Sequence, residues 1–80
     1  MIDKEIIEYA IKGLSSEIEK SQLTVYRANN YICSLEEGKR VKTPKTIDEL
    51  KELQKKHYKI IDDLSIKKEE LLWLLATEYE

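Results

Sequence analysis

The sequence has few of the residues that build disulfide-bonded, membrane-spanning or low-complexity chains. Its 80 residues include one cysteine, one proline, two glycines and no phenylalanine. The single cysteine, Cys33, excludes a disulfide framework within the chain. The longest apolar run, 71–76, is far shorter than the roughly 20 residues that span a bilayer. Ten leucines and ten isoleucines supply enough apolar surface for a core, which argues against disorder.

The length limits the chain to one small domain, and its positive and negative charges nearly cancel. A chain of 80 residues has room for a single core, so we expect one domain over 1–80. Neither sign of charge dominates, because 14 basic and 16 acidic side chains leave a net charge of −2. A lone thiol and the lack of an apolar leader are typical of a reducing cytoplasm. We therefore expect a cytoplasmic protein with no membrane segment.

Apolar residues recur every three or four positions through the first half of the chain. They form a heptad stripe of Ile7, Ile11, Leu14, Ile18, Ser21, Val25, Ala28, Ile32 and Leu35. This period predicts a helix over about 2–36. Gly13 and the capping-box pattern of Ser16 with Glu19 would permit a break. The stripe keeps its phase across both features, which favours one continuous helix.

A stop signal and a restart signal separate this helix from a second one. Gly38 offers a left-handed residue at the end of the first helix, and a polar connection occupies 38–45. The second helix is capped either by Thr43, with Pro44 at the first helical position, or by Thr46 with Glu49. It spans about 46–79. Its apolar face comprises Ile47, Leu50, Leu53, His57, Ile60, Ile61, Leu64, Leu71, Leu74 and Leu75.

Two helices of similar length with a short connection predict an all-α fold, an antiparallel helical hairpin. Folding back at the connection brings the two stripes together in order. The expected partners are Leu35 with Ile47, Ile32 with Leu50, Val25 with His57, and Ser21 with Ile60 and Ile61. Apolar residue also meets apolar residue where Ala28 faces Leu53, Ile18 faces Leu64 and Ile11 faces Leu71, which supports the hairpin.

The chain carries more apolar side chains than one hairpin buries. Six of them lie off the stripes near the end where the termini meet: Ile2, Ile6, Tyr9, Leu72, Trp73 and Tyr79. Clusters of exposed apolar residues mark interfaces, and a domain this small gains stability by association. We therefore predict an interface there, in a homodimer whose two hairpins form a four-helix bundle. A different protein partner explains the same surface equally well.

Residues that carry chemistry are few. His57 is the only histidine and has no second histidine or cysteine one or two turns away, which favours a packed core residue over a metal ligand. Cys33 has no cation on its face, so we expect a half-buried structural cysteine. We predict no catalytic residue, no metal and no cofactor. A small all-α enzyme with a site near His57 is one alternative.

One basic cluster lies in the connection, where Lys39, Arg40, Lys42 and Lys45 stand without an acidic residue between them. Such a cluster is a candidate contact for phosphate or nucleic acid. The sequence pI of about 5.5 argues against nucleic acid as the principal partner. The sequence therefore favours a non-enzymatic interaction module that regulates or inhibits another protein, of a size typical of phage and mobile-element proteins. Nucleic-acid association through 39–45 is the second alternative.

Overall fold

The computed structural model describes residues 3–43 and 45–78 and shows two helices packed against each other. Helix α1 spans Lys4–Glu36 and helix α2 spans Ile47–Glu78. The predicted all-α helical hairpin is confirmed, and the helix bounds fall within two residues of the expected ones. Neither α1 nor α2 combines the length and apolar character that crossing a bilayer demands.

The hairpin is a rod of 56 × 16 × 16 Å with a radius of gyration of 17.4 Å. A globular chain of the same length has a radius of gyration of about 12 Å. The excess arises because the two helices lie side by side along their whole length and no third element packs across them. Each layer of side chains therefore contacts only the layers next to it.

Helix α1 begins at a cap and continues without interruption. The carboxylate of Asp3 accepts a hydrogen bond of 3.2 Å from the backbone N–H of Glu5, which satisfies one of the free donors of the first turn. Gly13 lies within the helix, and no neighbouring atom comes within 4 Å of the position of a Cβ there. The prediction of a continuous helix is confirmed.

A Schellman motif ends α1. The N–H of Gly38 donates to the carbonyl of Leu35 at 3.1 Å, and the N–H of Lys39 donates to the carbonyl of Ser34 at 2.9 Å. Gly38 has a φ of +76°, and no other residue of the described chain has a positive φ. A side chain at this position would meet the following carbonyl, so glycine suits the turn.

Thr46 caps the start of α2. Its hydroxyl oxygen accepts a hydrogen bond of 3.2 Å from the N–H of Glu49 and donates to the carboxylate of that residue at 3.3 Å. The carbonyl of Thr46 accepts the first helical bond, from Leu50, at 2.9 Å. Of the two starts that the sequence allows, the chain uses this one. Thr43 accepts instead from the N–H of Lys45 within the connection.

Burial along the seam is uneven between the helices. On α1 six residues are buried: Ile7, Ile18, Ser21, Val25, Ala28 and Ile32. On α2 only Leu50 is buried, at 2% exposed. It forms a core with Ala28 and Ile32 near the connection, with Leu35 and Ile47 packed against it. Ile32 packs with Leu50 as expected, and Ala28, which we expected opposite Leu53, joins the same core.

The apolar face of α2 is wider than one helix can cover. Its remaining aliphatic residues are half-buried: Leu53, Ile60, Ile61, Leu64, Leu71, Leu74 and Leu75. They occupy three positions of the heptad, whereas a single helix–helix seam uses two. Helix α1 therefore covers the middle of this face, and apolar surface remains on both sides of the contact.

Candidate functional site

Polar contacts interrupt the seam near the middle of the hairpin. The Nδ1 atom of His57 lies 3.1 Å from the hydroxyl oxygen of Ser21, and Nε2 of Gln54 donates to the carbonyl of Val25 at 3.2 Å. We expected Val25 opposite His57 and Ile60 and Ile61 opposite Ser21. The hydroxyl of Ser21 contacts the imidazole because buried polar groups take hydrogen-bond partners where one is in reach. The hydroxyl of Ser21 thus reaches a residue one helical turn before Ile60 and Ile61, which we expected opposite it.

The contact between Ser21 and His57 places a hydroxyl beside an imidazole, as nucleophilic catalysis requires. Ser21 is 6% exposed, however, and lies within the contact between the helices. A nucleophile must reach the substrate, and this hydroxyl is covered. The arrangement satisfies two polar groups in an apolar seam. It does not support the enzyme alternative, because a substrate has no access to the hydroxyl.

Other chemistry-bearing groups stand apart from one another. In residues 3–43 and 45–78, no three or more His, Cys, Asp or Glu side chains come together as a group that could hold a metal ion. Cys33 is exposed. The expectation of a half-buried cysteine is therefore wrong, because Cys33 follows directly after buried Ile32 and its side chain points away from α2.

Acidic neighbours accompany the basic residues of the connection. The Nζ atom of Lys39 lies 2.9 Å from Oε2 of Glu37, and Lys45 lines a shallow groove with Asp48 and Glu49. Arg40 and Lys42 are exposed. The four cations thus stay at one end of the rod, but carboxylates of the adjoining helix ends reduce the local positive potential.

Four of the six predicted interface residues lie in the described part of the chain and are exposed, yet they do not share one face. Trp73 is 68% and Leu72 is 46% exposed, and these neighbours point about 100° apart on α2. Ile6 and Tyr9 are exposed on α1. Ile2 and Tyr79 lie outside the described residues. The end of the rod is therefore surrounded by apolar side chains rather than marked by a single patch.

A second heptad stripe runs along α2 beside its contact with α1. Its members alternate at spacings of three and four residues: Tyr58, Ile61, Ser65, Lys68, Leu72 and Leu75. All six are half-buried or exposed. Sequence reasoning assigned Ile61 and Leu75 to the core and Leu72 to the predicted interface, and it did not join them into one stripe. The spacing itself was the signal that would have joined them.

Another apolar feature lies on the outer side of α2. Ile66, Trp73 and Leu74 line a shallow groove together with Glu69 and Glu70, so apolar and acidic surface meet there.

No protein-family model matches the chain, and no curated protein and no solved structure matches it either.

Proposed function

We propose that this chain is a non-enzymatic interaction module whose hairpins pair into a four-helix homodimer that binds another protein and regulates or inhibits it. The observation that carries the proposal is the half-open apolar face of α2, of which only Leu50 is buried. A reducing cytoplasm suits its lone exposed thiol.

Burial energetics favour self-association. Each square ångström of apolar surface removed from water stabilises a structure by about 25 cal/mol, and a two-helix hairpin leaves much of that gain unused. A domain of this size is marginal without additional burial. A second hairpin supplies two more helices, which cover the exposed sides of α2 and form the core of a bundle.

Aromatic residues outside that core suit the contact with another protein. Trp73 is exposed beside a groove that also contains Glu69 and Glu70, and Tyr9 is exposed on α1. Tryptophan and tyrosine are enriched at the energetic centres of interfaces. Trp73, Tyr9 and Ile6 are accordingly the anchors that we assign to partner binding.

Solution mass tests the self-association. Light scattering after size exclusion, over a wide concentration range, should give twice the mass of the 9.5 kDa chain. The midpoint of thermal unfolding should rise with protein concentration, because dissociation accompanies unfolding of a dimer. A chain that stays monomeric, with a midpoint independent of concentration, contradicts this part of the proposal.

Two substitutions test the assigned anchors. Trp73→Ala and Ile6→Asp should weaken capture of the partner protein, since each removes an exposed apolar contact from the open end of the rod. Tyr26→Ala is the matched control, because Tyr26 is similarly exposed near the middle of α1. If both variants behave like the parent, the anchors lie on a different surface.

A further inference from the structure

We infer that the second copy docks on the second stripe of α2, with the two α2 helices antiparallel about a twofold axis midway between Ser65 and Lys68. The inference rests on the self-association proposed above and names the surface that carries it. Because this stripe lies beside the contact with α1, each α1 packs on the flank of the α2 pair, and the four helices form one bundle that is joined through the two α2 helices.

Twofold symmetry fixes which residues of such a stripe face each other. Each residue must meet the one that lies equally far on the other side of the axis. With the axis between Ser65 and Lys68, Ile61 meets Leu72 of the second copy, and Tyr58 meets Leu75. Ser65 meets Lys68 at the centre. Apolar residues thus face apolar residues in four outer layers, and polar residues face each other in the middle.

Moving the axis to a neighbouring position removes this match of apolar with apolar residues. A shift of half a heptad towards the N-terminus places Tyr58 against Lys68 and Ile61 against Ser65. The opposite shift places Lys68 against Leu72 and Ser65 against Leu75. Both bring polar groups against apolar ones, which leaves them without partners on burial. A parallel pair would set Lys68 against itself, and like charges at close range repel each other.

The state of Lys68 in the single hairpin supports the central axis. Its side chain is half-buried, although the residues three and four positions away on its own helix are all Leu or Ser. In the part of the chain that the structure describes, no ion pair includes it. Lysine on an apolar face either extends its stem to water or takes a counter-charge.

The antiparallel pair supplies that counter-charge. It brings Asp62 of one copy beside Glu69 of the other at the rim of the contact, and Lys68 lies within one helical turn of both. Two carboxylates that would repel each other alone are thereby bridged by an ammonium group. The Lys68 stem packs along the stripe while its charge reaches this rim.

Cysteine cross-linking tests the position of the axis. In a Cys33→Ser background, the double variant Ile61→Cys/Leu72→Cys places thiols in one layer of the proposed contact. The two cysteines of one chain are about 16 Å apart along the helix, too far for a disulfide within the chain. Mild oxidation should therefore convert this variant to a covalent dimer on a non-reducing gel.

The control is Ile61→Cys/Leu75→Cys in the same background. These positions lie on the same stripe but fall in different layers of the proposed pair, so they should cross-link at least tenfold more slowly. If the parent is dimeric but the two variants cross-link at the same rate, or neither of them cross-links, this inference is overturned and self-association stands. A parent that is monomeric at every concentration overturns both.

A charge substitution gives a second readout that needs no oxidation. Leu72→Glu should convert the dimer to a monomer that remains helical by circular dichroism, because it places a carboxylate in an apolar layer of the contact. Trp73→Glu, at the next residue and on a different side of α2, should leave the dimer intact. Equal loss of the dimer in both variants, or loss only with Trp73→Glu, assigns the contact to a different surface.

Discussion

His57 and Ser21 are 36 residues apart in the chain, and their side chains meet at 3.1 Å across the seam between α1 and α2. Close by, the side-chain amide of Gln54 donates to the backbone of Val25. Polar groups within an apolar seam fix the register of paired helices, because sliding by one turn removes their partners. We assign that role to this layer.

Removal of the Ser21 hydroxyl tests the energetic value of the layer. Ser21→Ala should cost about 1 kcal/mol in the free energy of unfolding, because the imidazole loses its partner. Ser16→Ala is the matched control: it makes the same change at an exposed position of α1 and reports the better helix propensity of alanine. Urea denaturation measures both. Equal free energies for the two variants would show that the contact contributes nothing to stability.

The two glycines should respond to alanine in opposite directions. Gly13→Ala should stabilise the hairpin by about 1 kcal/mol, since the position is helical and has open space for a methyl group. Gly38→Ala should destabilise it by about 1–2 kcal/mol, because its φ of +76° is strained for any residue with a Cβ. Thermal unfolding resolves a difference of this size. A rise in stability with Gly38→Ala would contradict the Schellman end of α1.

The cap of α2 gives a third prediction. Thr46→Ala should cost about 1 kcal/mol, because the N–H of Glu49 loses its acceptor at the helix start. Thr43→Ala serves as the control: its hydroxyl accepts only a bond within the connection, so the cost should be smaller. Urea denaturation of both variants orders the two costs. The reverse order would move the start of α2 to Thr43.

The basic connection gives a fourth prediction. Replacing Lys39, Arg40 and Lys42 by glutamate should leave retention on duplex DNA unchanged, because nearby carboxylates already reduce the local positive potential. Retention is measured between about 50 and 200 mM salt, where phosphate contacts weaken steeply. Tight, salt-sensitive binding by the parent that the triple variant loses would establish the nucleic-acid alternative instead.

Local signals accounted for most of what could be predicted from the sequence. The bounds of the helices follow from the phase of the stripe, from Gly38 and from the cap at Thr46, each of which acts within a few residues. The core at the connection was predictable too, because a short loop holds the nearby residues Ile32 and Leu50 close to each other.

Features that depend on the relative position of the helices were harder to predict. The partner of Ser21 changes with a shift of one turn, which counting back from the loop does not resolve. The second stripe on α2 shares Ile61 and Leu75 with the apolar face that meets α1, and only the uneven burial of the two helices separates it from the core.

The shape of the hairpin governs how it moves through water. A rod more than three times as long as it is wide experiences more friction than a sphere of equal mass. A single hairpin therefore travels through a gel-filtration column like a heavier globular protein. Joining two rods side by side thickens the particle while lengthening it little, so the dimer has the lower frictional ratio of the two. Sedimentation velocity, which reports that ratio together with mass, distinguishes the two states where elution volume confuses them.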